Sequence, residues 1–276
     1  MKVDGHTHTH YCPHGSGEET AKFIEKAIEL GFDRYVLTEH APLPRSFCEA
    51  LPYEKELVQY FTMKETEFDD YIKEMHQLKR KYKDQIEIRV GFELDYLSEY
   101  IDWTRNLLRE YQGYIEETVL SVHFLKGVDG WRCIDHTPEE LEENVVLYHG
   151  NFQSVQKTYY ETIKEAILQF QPSRIGHLSL CQKFQHYFDE GTLVADKAKN
   201  EVEQILILLK KKGIALDFNT AGIDNKYCLE PYPSNWIVKK AQKMGIPFIF
   251  GSDAHAVDEV GRSYSLFQSV ILSSLG

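Results

Sequence analysis

An α/β barrel with its functional residues gathered at one mouth is the fold class that the sequence predicts, on three observations. Strand-like and helical runs alternate seven times along the 276 residues. That length suits one large α/β domain, since barrels of this kind run to about 250 residues. Histidines or carboxylates also stand at the ends of six of the seven strand-like runs.

The first run, 2–8, ends Asp4-Gly5-His6-Thr7-His8. A helix over 18–30 follows, with Ala21, Ile24, Ala27 and Ile28 on one face and Gly31 as its stop. The second strand, 34–40, closes on Thr38-Glu39-His40, and a loop from Pro42 to Phe61 leads to a helix over 64–83. The third, 86–95, holds Gly91-Phe92-Glu93 and is followed by a helix over 98–112. The fourth, 116–124, ends Ser121-Val122-His123; a loop over 126–138 then precedes helical sequence over 138–170, one helix or two. The fifth, 174–180, carries Gly176-His177 and leads to a helix over 195–212. The sixth, 214–219, closes Asp217-Phe218-Asn219-Thr220 and is expected to bring no ionisable ligand. After a loop over 221–236 and a helix over 234–245, the seventh strand, 246–252, runs into Ser252-Asp253-Ala254-His255, with a last helix over 258–275. No repeat or linker interrupts this order, so residues 1–276 read as one domain.

Strands alternating with helices predict a parallel sheet covered by helices. An open sheet would spread the polar strand ends along a line, about 4.8 Å per strand. A closed one collects them in a ring at its C-terminal mouth, where barrel active sites lie. Residues i and i+2 share a strand face, so His6 and His8 can point to one ion, as can Asp253 and His255. Imidazole and carboxylate are the donors that zinc, iron and manganese prefer. Counting His14 in the loop after the first strand, seven of the twelve histidines enter the ring.

The balance of 31 basic and 43 acidic residues, net −12, with no basic stripe, argues against a nucleic-acid partner. No apolar run approaches the roughly 18 residues of a membrane span. The N-terminus lacks a signal-peptide core. The five cysteines are scattered without a Cys-x-x-Cys pair. A cytoplasmic protein acting on a small molecule is the expectation; oligomeric state is not legible.

His6-Thr7-His8-Thr9 with His14 following, then Thr38-Glu39-His40, Glu93, His123, His177 and Gly251-Ser252-Asp253-Ala254-His255, resemble the polymerase and histidinol phosphatase (PHP) superfamily. The resemblance runs from residue 4 to about residue 262 with every ligand motif in order. The opening His-Thr-His-Thr-His-Tyr-Cys-Pro-His-Gly and Thr-Glu-His-Ala-Pro-Leu-Pro are most similar to the monofunctional histidinol-phosphate phosphatases of histidine biosynthesis. The resemblance implies a distorted seven-stranded (β/α) barrel holding two or three divalent ions, zinc, iron or manganese. It implies His6, His8, Glu93 and Asp253 on a first ion, and Glu93 bridging to a second with His123 and His177. His14, His40 and His255 would take a third. L-histidinol phosphate would be hydrolysed by a metal-bridging hydroxide, with Glu93, Asp253 and His255 at the centre of the chemistry. Within the same superfamily a nucleotide phosphoesterase or exonuclease is the alternative. An amidohydrolase or a non-catalytic metal-binding module stands further off.

For phosphate oxygens, Arg262 and Arg45 are the first candidates, with Lys183 and Arg174 behind them. Asp4 reads equally as a partner of a ligand or as a polar plug, and Glu39 as structural. Aromatic residues for the substrate ring are expected from the loops: Phe47, Tyr53, Tyr60 and Phe61; Trp131; Tyr227, Tyr232 and Trp236. Asp224 or Glu230 could meet an amino group. His10, His76, His136, His149 and His186 are read as outside the site, and Cys12 as a packed thiol. No residue stands out as general acid.

Overall fold

The computed structural model describes residues 1–188 and 196–271. Seven strands form one sheet in the order β1-β2-β3-β4-β7-β8-β9. They are β1 Val3–Asp4, β2 Arg34–His40, β3 Glu87–Asp95, β4 Glu117–Ser121, β7 Arg174–Ile175, β8 Ala215–Asn219 and β9 Phe248–Gly251. All neighbours pair parallel. Past its last strand the sheet meets its first: the Gly5 N–H donates to the Phe250 carbonyl (2.7 Å), Asp253 N–H to His6 (2.8 Å) and His8 N–H to Ala254 (3.0 Å). The fold is therefore the expected distorted (β/α) barrel, loosest where the two-residue β1 joins β9.

Parallel strands are covered on both faces and so read as continuous apolar runs; Tyr35, Val36 and Leu37 of β2 are all fully buried. The helices outside present one apolar stripe inward. Phe68–Lys81 buries Phe68, Tyr71, Ile72 and Met75, with Asp69 and Asp70 in its first turn and Lys79, Arg80 and Lys81 in its last. Those charges oppose the helix dipole at each end. The Tyr71 hydroxyl fastens the helix to β3 through the Gly91 carbonyl (2.9 Å). At Gly91 a Cβ would fall 2.3 Å from the Glu117 carbonyl oxygen, so only glycine lets β3 and β4 approach there.

Several expected elements differ in extent. The strand over 174–180 stops after two residues, because the chain turns at Gly176-His177 with His177 at φ 22°. The helical stretch 138–170 is broken at Gly150, left-handed at φ 87°, and restarts at Phe152–Gln169 with the Asn151 side chain capping the Ser154 N–H. In place of a helix over 258–275 there is a short turn, Val257–Glu259, then Tyr264–Val270. The left-handed residues Gly261 and Ser263 separate the two. Positions 272–275 of that expected helix, and position 195 of the one over 195–212, lie outside the described residues. The loop over 126–138 contains part of an antiparallel hairpin, β5 Phe124–Gly127 with β6 Gly130–Cys133. Its turn is Val128-Asp129; Asp129 and Gly130, the first residue of β6, are both at positive φ, and Asp-Gly is a recognised hairpin signal. The loop 42–61 likewise holds short helices, Arg45–Ala50 and Lys55–Val58.

Loop and hairpin share a small core of their own, with Leu43, Phe47, Leu51, Leu97, Phe124, Trp131 and Cys133 packed together apart from the barrel's main core. Together they form one wall of the mouth. Among the described residues no helix is long and apolar enough to cross a membrane.

Candidate metal centre

The strand ends converge as predicted, and Glu93 of β3 stands at their centre. Its Oε2 lies 3.3 Å from His6 Nε2, 3.6 Å from His8 Nε2 and 3.1 Å from His40 Nδ1. Its Oε1 lies 2.8 Å from His177 Nε2 and 3.7 Å from His123 Nε2. Asp253 faces the same space, with Oδ1 at 3.0 Å from His8 Nε2 and 3.7 Å from His6 Nε2. Asp253 adopts a left-handed φ of 53°, uncommon for a residue with a side chain, and Arg262 holds that turn. The Arg262 guanidinium donates to the carbonyls of Ser252 (2.8 Å) and Asp253 (2.9 Å) and to Glu259 (3.0 Å).

The other ring nitrogen of most of these histidines is held from outside. His6 Nδ1 meets Asp217 at 2.7 Å, His8 Nδ1 meets Glu39 at 3.1 Å, and His123 Nδ1 meets Asp95 at 2.8 Å. His14 Nδ1 donates to the Tyr60 carbonyl (2.6 Å) and His255 Nδ1 to that of Asp253 (3.0 Å). Such outer partners fix the tautomer and leave Nε2 as a donor to a metal. Asn219 links the carboxylates behind the ring, reaching Asp217 (3.2 Å) and Asp253 (3.0 Å).

Two observations show that a cation fits. His6 Nε2, both nitrogens of His40 and His177 Nδ1 are buried without a hydrogen-bond partner, which is costly unless another ligand satisfies them. In addition, His14 Nε2 and His255 Nε2 face each other at 3.1 Å. With each Nδ1–H committed to a carbonyl, a hydrogen could lie between them only if one ring were protonated. Burial and the nearby His8 charge hold the His255 pKa well below the usual value, and burial lowers that of His14 too. Two bare lone pairs in contact call for a cation. The donor atoms form compact groups: His6, His8 and Glu93; His6, His177 and Asp253; Glu93, His123 and His177; and His8, Cys12, His40 and His255. The site therefore binds divalent metal.

Electrostatics make that binding a contest with protons. Burial disfavours charge on His6, His8 and His123, yet the surrounding carboxylates overcome it. His6 is raised well above its usual value by Glu93, Asp253 and Asp217, His8 to about 9 by Asp253 and Glu39, and His123 to about 10 by Asp95 and Glu93. Without metal these rings hold protons at neutral pH, and metal must displace them. Proton release on metal uptake at pH 7 is expected, with apparent affinity climbing as pH rises toward 9 to 10. Calorimetric titration of apoprotein in buffers of different ionisation enthalpy checks this; an uptake enthalpy independent of buffer would contradict it.

The ring opens into a cavity of about 650 Å³. Leu57, Tyr60, Phe61 and Phe124 form an apolar side, while Asp135, His136, Lys183 and Asn225 lie among its polar lining. Several expectations are corrected here. Arg45 lies outside the lining, its side chain 84% exposed and paired with Glu49. Arg262 lines the cavity, with three of its five N–H donors held by Ser252, Asp253 and Glu259. Arg174 is buried against Glu117 and the Gly5 carbonyl. Lys183 also lines the cavity. Asp4 accepts from the Ser252 (2.9 Å) and Gly261 (3.3 Å) N–H groups, so it is a plug rather than a partner of a ligand. Glu39 is the reverse: it orients His8. Of the expected aromatic residues, Tyr60, Phe61 and Tyr232 line the cavity, whereas Phe47 and Trp131 pack beneath the wall and Tyr53, Tyr227 and Trp236 are packing residues outside the lining. Neither Asp224 nor Glu230 lines it, and His136, read as outside the site, does. Asp217, which the sequence left without a role, is a direct partner of His6. The period-two alternation that picks out His6 and His8 would also have placed Asp217 and Asn219 on the inner face.

A parallel barrel whose C-terminal mouth carries this ring defines the class: a metal-dependent α/β-barrel hydrolase. The chain belongs to the PHP family, whose domain profile matches residues 4–221, with a PHP-associated profile over 237–274. It is 34% identical to the histidinol-phosphatase of Bacillus subtilis, over 97% of this chain and 98% of that one. A protein of Listeria monocytogenes provisionally named histidinol phosphatase superposes with a TM-score of 0.93 at 42% identity, over 96% of this chain and all of that one. The histidinol phosphate phosphatase of Lactococcus lactis, solved with zinc, L-histidinol and phosphate, shares the fold (TM-score 0.72, 18% identity), over 98% of this chain and 94% of that one.

Proposed function

We propose that the chain hydrolyses L-histidinol phosphate to L-histidinol and phosphate, acting as one catalytic domain with the barrel mouth as its active site. The observation that carries this reading is a ring of buried imidazoles around one shared carboxylate, opening into a cavity with a cationic corner and an aromatic wall. The names of the relatives supply the substrate; the residues supply the hydrolysis. His6, His8, Glu93 and Asp253 hold one ion, Glu93 with His123 and His177 a second, and His14, His40 and His255 a third, the ions being zinc, iron or manganese. Ions so held polarise phosphoryl oxygens and lower the pKa of water.

Phosphoryl transfer asks a protein mainly for positioning and charge. Lys183 gives two of its three donors to Asp135, the carbonyl at 2.6 Å and the carboxylate at 3.1 Å, which leaves one for a phosphate oxygen. Burial works against its charge, but Asp135 more than compensates and raises its pKa. Arg262 and Asn219 keep Asp253 aimed at the ring. Tyr60 and Phe61 offer flat faces to an imidazole, and Asp135 offers a negative end to an amine. Net charge of −12 keeps polyanions away and favours a small substrate.

A panel of L-histidinol phosphate, AMP and p-nitrophenyl phosphate, assayed with Zn²⁺, Mn²⁺ or Fe²⁺, tests the proposal. The highest kcat/KM is expected for histidinol phosphate. Equal values across the panel would defeat the substrate assignment and leave a general phosphatase.

A further inference from the structure

The loop after β1 carries a thiol into the metal ring. Cys12 is 3% exposed, and its Sγ and one ring nitrogen each of His8, His40 and His255 all lie within 4.8 Å of one another. Its surroundings are imidazoles rather than the apolar niche in which a thiol usually packs. A further observation points to ligation. The His40 ring, itself 7% exposed, has an Nε2 without a partner, so a bond is missing in this corner of the ring. Cys133, a thiol that does line the cavity, differs: its Sγ lies 3.2 Å from Asp135 Oδ1, and it joins no such group.

We propose that Cys12 binds, as thiolate, the ion held by His14, His40 and His255, giving that site a mixed sulfur and nitrogen donor set. On binding, the S–H proton passes to solvent and the sulfur lone pair to the metal, with no change of oxidation state. A soft donor selects zinc over manganese at this position, whatever fills the other two. The inference rests on the metal centre proposed above and is independent of its substrate.

Cobalt(II)-loaded protein tests it, because thiolate ligation adds an intense sulfur-to-cobalt charge-transfer band in the near ultraviolet that nitrogen and oxygen donors lack. The band is expected in the wild type and in Cys133→Ser, and is expected to vanish in Cys12→Ser. A fully loaded wild type without the band, or a Cys12→Ser protein that keeps it, overturns the proposal. Should Cys12→Ser fail to fold, zinc-edge X-ray absorption of the wild type decides: a sulfur scatterer at about 2.3 Å supports ligation, and nitrogen and oxygen alone exclude it. None of these readouts involves turnover, so their failure leaves the phosphatase reading standing.

Discussion

Glu93→Ala is expected to lose metal and activity together, with kcat falling on the order of 10³-fold or more, at or beyond the cost of removing one charge-stabilising group from an active site. The reason is the position of this carboxylate, which lies within 3.7 Å of a nitrogen on His6, His8, His40, His123 and His177. Burial alone would push its pKa up; the charges of His6, His40 and His123 pull it well below the usual carboxylate range, so it is ionised and able to bridge. His76→Ala is the control. That ring bonds the Tyr114 carbonyl outside the cavity, and both metal content and rate should stay unchanged. Emission spectrometry of the purified variants reads the outcome. Glu93→Ala protein with its full complement of metal would refute the bridging role.

Lys183→Met should act on the substrate and spare the metals. Removing a charged donor to phosphate costs roughly 1.5–3 kcal/mol, or about 10- to 100-fold in kcat/KM. Metal content should hold, because Lys183 touches no member of the ring; its contacts are with Asp135. Loss of that partner leaves Asp135 buried beside an apolar side chain, so Lys183→Arg is the companion variant and should recover part of the rate. A Lys183→Met enzyme with wild-type kcat/KM for histidinol phosphate would remove this residue from phosphate binding.

The barrel was legible from alternating strands and helices, and four of the nine expected ligands from spacing along a strand. A strand alternates its faces every two residues, so His6 with His8, or Asp253 with His255, declares itself locally. The partners behind the ring had no such signature. His6 and Asp217, 211 residues apart, meet only because the sheet closes, and His8 and Glu39, 31 apart, meet only once β1 pairs with β2. Arg45 was placed ahead of Lys183, though of the two only Lys183 lines the cavity, because loop position says nothing about which way a long side chain turns. Arg45 found a nearer carboxylate four residues on, at Glu49. The hairpin β5–β6 was missed although Asp129-Gly130 announced it, since the flanking strands are only four residues each and lack clear alternation.

The small core formed by the 42–61 loop and the hairpin has an evolutionary corollary. Because Phe47, Phe124 and Trp131 pack with one another rather than with the barrel's interior, substitutions among them can reshape the substrate-facing wall while the ion-holding rim stays put. Descendants of such a scaffold could trade one leaving group for another by drift in this annex alone. One tether to the ancestral chemistry would be the bond from His14 to the Tyr60 carbonyl.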